Sequence, residues 1–194
     1  MYKDRYHSPF PLFVLSEKAS AEYLNDILQR TADQFHSCYF LTLVHIPDPS
    51  KAYDCAPDKE MAREGDREYE VSQSGTEPPI PEPFVSPFIG KTAEDCARYL
   101  RETPENKAWN IENFCMITDD DVREDTITLV HGFKNGAVHS FPVTVEETWE
   151  NMFTMWTELF FEEKLQQYQF VTELEPEKDR SVGKPFEFER YDEE

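Results

Sequence analysis

Glycine, cysteine and positive charge are all in short supply. Only six glycines stand among the 194 residues, and none falls in a Gly-x-Ser-x-Gly elbow, a phosphate-cradling loop or a dinucleotide fingerprint. The sequence therefore carries no motif for acyl transfer on such an elbow or for nucleotide binding. Cys38, Cys55, Cys96 and Cys115 form no C-x-x-C pair and no regular framework, and no short-spaced Cys/His set suggests zinc. They read as reduced thiols, and no cofactor or metal is expected. No window approaches the roughly 18 uninterrupted apolar residues of a membrane span, and Met1 to His7 lack the apolar centre of a signal peptide. The expectation is a soluble, cytoplasmic protein without membrane contact. Basic residues number 19 against 40 acidic ones, for a formal net charge of −21. Such a surface repels phosphate backbones and anionic lipid and draws basic protein surfaces, so nucleic acid is disfavoured as a partner.

What the chain does have is rings and prolines. Aromatics make up 14% of it, with 15 Phe and 9 Tyr, which predicts a core built around rings rather than small aliphatics. A chain of this length buries about 70% of the surface its unfolded form exposes, enough for one ordinary domain. The 14 prolines and a mean hydropathy of −0.69 assign part of the chain to loop or tail.

Taken in order, Leu12 to Leu15 predicts a first strand. Ser16 is a suitable N-cap for a helix from Glu17 to Phe35, and Tyr39 to Ile46 reads as a central strand stopped by Pro47. Strand, helix and strand in succession predict a parallel crossover. Residues 48–87, with Pro78-Pro79-Ile80-Pro81-Glu82-Pro83, read as a long Pro- and acid-rich loop within the domain. A second helix is expected from Thr92 or Lys91 to about Glu102, closed by Pro104. Asn113 to Ile117 and Asp125 to Val130 predict strands joined by an acidic turn. The Asn135-Gly136 pair predicts a two-residue hairpin turn into a strand from Ala137 to Val143. Thr144-Val145-Glu146-Glu147 fits a capping box opening one long helix to Phe170, whose rings recur at three- and four-residue steps. Residues 171–194 read as an acidic tail. The run from Phe114 to Ile117 and on through Asp125 to Val130 resembles small uncharacterised α+β proteins of fungi and bacteria in which an acidic turn links two such strands. That resemblance implies no activity.

The fold class expected is α+β: one domain over 1–170, with a mixed sheet of about five strands and two or three helices packed on it, followed by the tail. Three groups of side chains are candidates for function. Asp119, Asp120, Asp121, Glu124 and Asp125 form the densest acid cluster. A calcium loop is ruled out there, because no Gly stands at its sixth position and Val130 occupies its twelfth, where a bidentate Glu is required. His45, His131 and His139 lie in or beside predicted strands and are the weak candidates for acid–base chemistry. With a two-residue turn, His131 and His139 fall on opposite faces of the hairpin. Trp149 and Trp156 on the long helix offer a ring-lined binding surface, or a homo-oligomer contact through Thr144 to Phe170. The charge and the missing motifs favour a non-enzymatic binding or regulatory module of inhibitor or immunity type that meets a basic protein. The alternative is a small cofactor-free enzyme or ligand-binding protein with an aromatic-lined pocket and a His/carboxylate pair.

Overall fold

The computed structural model describes residues 10–34, 39–54, 75–104, 110–155 and 158–183; for Tyr53, Asp54 and 158–160 it describes the backbone only. The elements run β1 (Phe10–Val14), α1 (Ala21–Asp33), β2 (Leu41–Leu43), a 3-10 turn (Pro49–Asp54), α2 (Ala93–Glu102), β3 (Asn113–Ile117), α3 (Asp119–Glu124), β4 (Thr126–Gly132), β5 (Val138–Thr144), α4 (Thr148–Thr154), α5 (Glu158–Thr172) and a closing 3-10 turn (Pro176–Lys178). A mixed five-stranded sheet in the order β2-β1-β3-β4-β5 organises them. β1 pairs parallel with both β2 and β3, whereas β3, β4 and β5 are antiparallel. The chain is thus an α+β fold. The strand over Tyr39 to Ile46 is shorter than expected and forms an edge of the sheet, not its centre, because β1 takes the middle position between it and β3.

Alternation along the strands gives the sheet two buried faces. Phe10, Leu12, Val14, Cys115, Ile117, Ile127, Leu129, Phe141 and Val143 meet α1, α4 and α5 through Leu24, Ile27, Leu28, Met152, Phe161 and Leu165. Phe13, Phe114, Met116 and Val130 meet α2 through Cys96, Ala97, Tyr99 and Leu100 on the other side. Phe13 is the hub of that second face, set edge-on to Phe88, Tyr99 and Phe114 at 4.8, 5.8 and 5.5 Å. Each such contact adds about 1 kcal/mol beyond the area it buries.

Local chemistry sets several boundaries. α1 starts four residues later than the cap at Ser16 predicts, because the Ser20 hydroxyl accepts from the Tyr23 amide at 3.1 Å and Ser16 is used elsewhere. α2 begins as predicted, with a reciprocal capping box between Thr92 and Asp95. The acidic turn after β3 is instead a short helix, α3, opened by a second capping box between Thr118 and Asp121 and closed by Asp125 at φ +56°.

The hairpin between β4 and β5 corrects the expected register. Gly136 adopts φ +92°, its amide donates to Phe133 O, and the Phe133 amide donates to Ala137 O, each at 2.9 Å. The loop is therefore Lys134-Asn135-Gly136, one residue longer than a two-residue turn, a geometry in which glycine takes the left-handed position. One added residue reverses the side-chain parity of everything beyond it. His131 now stands directly opposite His139, on the same face.

The single long helix is replaced by α4 and α5. Thr144 and Glu147 do meet, the Thr144 hydroxyl donating to Glu147 Oε2 at 2.9 Å, but Thr144 ends β5 and helix begins at Thr148. α4 ends at Thr154 and α5 starts at Glu158. Met155 and Phe161, off the stripe of one continuous helix, are both buried, at 1% and 0% exposure.

Residues 171–183 are folded rather than extended. Ser140 and Val182 exchange backbone hydrogen bonds of 2.9 and 2.8 Å along the outer edge of β5, and Pro142, two residues on, offers no amide there. The opposite edge is covered similarly. Gly75 and Thr76 donate to Tyr39 O and Leu41 O at 3.0 and 2.8 Å, and a Cβ on Gly75 would stand 2.3 Å from Tyr39 O. Both sheet edges are thereby closed to strand addition. Of the loop over 48–87, residues 55–74 lie outside the described residues, as do 184–194 of the tail.

Candidate functional site

The acid cluster is bound up with the protein's own groups. Asp119 accepts from the Ser16 hydroxyl at 2.5 Å and pairs with Lys18 at 2.7 Å. Lys18 first, then Ser16, hold its carboxyl below the usual range. Asp120 and Glu124 pair with Arg123, both at 2.6 Å. Asp125 receives a two-pronged contact from Arg30 at 2.9 Å on each oxygen, and Arg30 also reaches Glu146 at 2.6 Å. Hydrogen bonding from Arg30 lowers both carboxyls. Tyr23 nearby is pushed up to about 12 by burial, with Asp121 and Asp125 adding to the shift.

Asp121 is fully buried. It accepts from the hydroxyls of Thr118, Thr126 and Thr128 at 2.7, 2.7 and 2.8 Å and from the Thr118 amide at 2.9 Å. Arg180 stands 3.4 Å away and also reaches Glu124 at 3.3 Å. A residue from the supposed tail thus closes the cluster, and no local signal ties position 180 to position 121. Among the described residues no three His, Cys, Asp or Glu side chains are grouped to hold a metal.

The three histidines do not form one centre. His131, buried at 3%, lies 2.7 Å through Nδ1 from Asn113 Oδ1. His139 donates through Nδ1 to Glu162 Oε1 at 3.0 Å, and Glu162 Oε2 is buried with no hydrogen-bond partner among the described residues. The Phe133 ring touches both imidazoles, at 4.6 and 4.7 Å between centroids, and Phe161 lies over His131 at 5.3 Å. The pair is close-packed: a Cβ on Gly183 would fall 2.0 Å from His139 Cδ2. The Ser181–Gly183 strap, anchored by Gln169 at 3.0 and 3.2 Å, therefore covers His139. Glu162 is one of several charged residues on α5 and nothing in its spacing points to His139. His45 is far from both, just past β2 at the other edge of the sheet, exposed and with Nδ1 3.3 Å from Leu43 O.

Trp149 packs on Phe40 at 4.9 Å and on Phe153 at 5.5 Å, so it serves the contact of α4 with the sheet. Trp156 lies outside the described residues. Cys96 and Cys115 are buried, and burial first, with nearby carboxylates second, pushes both thiols up and away from thiolate chemistry; Cys38 and Cys55 are not among the described residues.

Two surface clefts lie at the carboxyl ends of the parallel strands. One, of about 410 Å³, runs between Leu43 and His45 after β2 and the segment from Thr76 to Val85. The other, of about 250 Å³, lies between Val14 and Ala19 after β1 and the segment from Phe84 to Ile89. Phe84 and Val85 border both. Carboxyl ends of parallel strands, at the point where the strand order turns back, are where open sheets of this kind hold ligands. The order 2-1-3 puts that point between β1 and β3, where Ser16, Lys18 and Asp119 meet.

Among the described residues no helix is long and apolar enough to cross a membrane. Family models, curated proteins and solved structures offer no match to this chain.

Proposed function

We propose that the protein is a non-enzymatic binding module that engages a basic protein surface. The observation carrying this reading is the end of α5, where Phe170, Val171 and Leu174 stand 76%, 75% and 92% exposed. Glu173, Glu175, Glu177 and Asp179, all exposed, stand beside them in the chain. Lys178, which pairs with Glu175, is the only cation within that run from 170 to 179. Adjacent apolar side chains with carboxylates beside them suit a partner presenting apolar contacts framed by Lys and Arg. The excess of acid elsewhere speeds its approach.

The acid–base reading has one observation in its favour, the His139 and Glu162 pair. The strap against His139 weighs toward a structural role for that pair.

The test is a titration of the protein with a basic protein partner recovered from native extract, at low and high salt. Affinity is expected to fall at least about ten-fold between 50 and 500 mM salt, and Leu174→Glu is expected to weaken it further. Salt-independent affinity, or binding indifferent to Leu174→Glu, overturns the reading. Sedimentation of the protein alone separates self-association through the same surface from capture of a different chain.

A further inference from the structure

We infer that the paired clefts at the carboxyl ends of β1 and β2 form a binding site for a small organic cation, an ammonium or guanidinium group carried on an apolar body. Three observations converge on this, none of them involving the surface at the end of α5.

The first is position. Leu43 ends β2 and His45 follows it, Val14 ends β1 and Ser16 follows it, and the clefts are lined by those carboxyl ends of two parallel strands.

The second is the wall. Pro79, Ile80, Pro81, Pro83, Phe84 and Val85 supply an almost wholly apolar surface. It is held in place from behind: Ile80 is buried, its amide donates to Asn25 Oδ1 on α1 at 2.7 Å, and the Ser86 hydroxyl accepts from the Phe88 amide at 3.1 Å. Prolines in sequence limit how far that wall can rearrange. A volume of about 410 Å³ suits a single-ring molecule with a short side chain.

The third is the sign of the charge. Among the described residues the ionised groups lining the two clefts are Glu77 in one and Glu17 in the other, with His45 also lining the first and no Lys or Arg in either lining. A third cleft, against α2, shows the contrast, since Lys91 and Arg98 line it together with Asp95 and Glu102. Among the described residues lining these clefts a carboxylate or phosphate ligand would find no opposite charge, and Lys18, between Glu17 and Ala19, is already paired with Asp119 at 2.7 Å. An ammonium would find Glu77 in a lining otherwise made mostly of proline, Ile80, Phe84 and Val85, with the Phe84 ring as an aromatic partner for a cation.

Phenethylamine and 3-phenylpropionate share a ring and a short linker and differ in the sign of their head group. Titration of the full-length protein, followed by amide and His45 ring resonances, is expected to give saturable shifts at residues 43–45 and 76–85 with phenethylamine alone. Glu77→Gln, at an exposed position, is expected to weaken phenethylamine roughly five-fold, as for loss of one surface ion pair. Val85→Lys, also exposed, should abolish binding while leaving the fold intact. Equal binding of the two probes, binding of neither, or shifts unaltered by both substitutions would overturn the assignment. Because Leu174→Glu leaves these clefts untouched, the site and the partner surface on α5 stand or fall separately.

Discussion

Two acid-rich regions of the same chain behave in opposite ways. Between Asp119 and Asp125 every one of the five carboxylates has a cation or a set of hydroxyls, drawn from Ser16, Lys18, Arg30, Thr118, Arg123, Thr126, Thr128 and Arg180. Between Glu173 and Asp179 the carboxylates are exposed beside exposed apolar side chains, and among the described residues the one ion pair within the run is the surface contact of Lys178 with Glu175. The denser cluster, which looks in sequence like the binding surface, is a knot that ties α1, α3, β4 and the C-terminal strap together. The sparser one remains open to a partner. Charge density along a chain does not reveal which charges the fold has already used.

The largest effect that separates the two regions is expected at Asp121. Asp121→Ala removes the acceptor that Thr118, Thr126 and Thr128 share and leaves Arg180 facing a void. Thermal or urea unfolding should show a loss of about 3 kcal/mol, as for other broken buried polar networks. A loss under about 1 kcal/mol would mean that water replaces the carboxylate and that the knot is not structural.

A smaller effect is expected at Arg30, whose side chain is 28% exposed and therefore screened. Arg30→Ala should cost about 1 kcal/mol near neutral pH. The sign of its pH dependence follows from linkage. Arg30 lowers the carboxyls of Asp125 and Glu146, so at a pH below about 4 the unfolded chain binds protons that the folded one refuses. The stabilisation is fully present above the unfolded carboxyl range and is lost as pH falls through the lowered folded values. Unfolding curves of the two proteins should lie apart at pH 6 and converge toward pH 2. Curves that stay parallel through that range would show that Arg30 acts by packing and not by charge.

The smallest effect is expected at Leu174. Leu174→Glu should change stability by less than about 0.5 kcal/mol, since the side chain is 92% exposed, while weakening capture of the basic partner. A substantial loss of stability would show that this residue packs against part of the protein itself, and the contrast between the two acidic regions would fail.

How much of this was legible beforehand depends on how local the cause is. The start of a helix near Thr92, the strand from Asn113 to Ile117 and the parallel pairing of β1 with β2 follow from neighbours in sequence, and so they were readable. The hairpin failed by one residue. Asn135-Gly136 marks a turn, but Gly136 fits a three-residue loop as well as a two-residue one, and pairing over the length of β4 and β5 decides between them. That one residue moved His139 across the sheet to face His131. Ser16 misled in a similar way: a good N-cap by residue type, it is drawn instead to Asp119, 103 positions away. Neither the clefts beside Phe84 nor the partnership of His139 with Glu162 has a signature at short range.

By itself the sequence determined the α+β alternation and the scarcity of positive charge, because composition and short-range periodicity act on neighbours along the chain. The core expected to be built around rings instead holds more Leu, Ile and Val than aromatic side chains among the described residues. The tertiary structure alone decided which carboxylates are neutralised, which histidines meet, where a long ring-bearing helix breaks and where apolar side chains are left in water. Those outcomes depend on contacts between residues tens to more than a hundred positions apart, and only the folded register brings them within reach of a hydrogen bond.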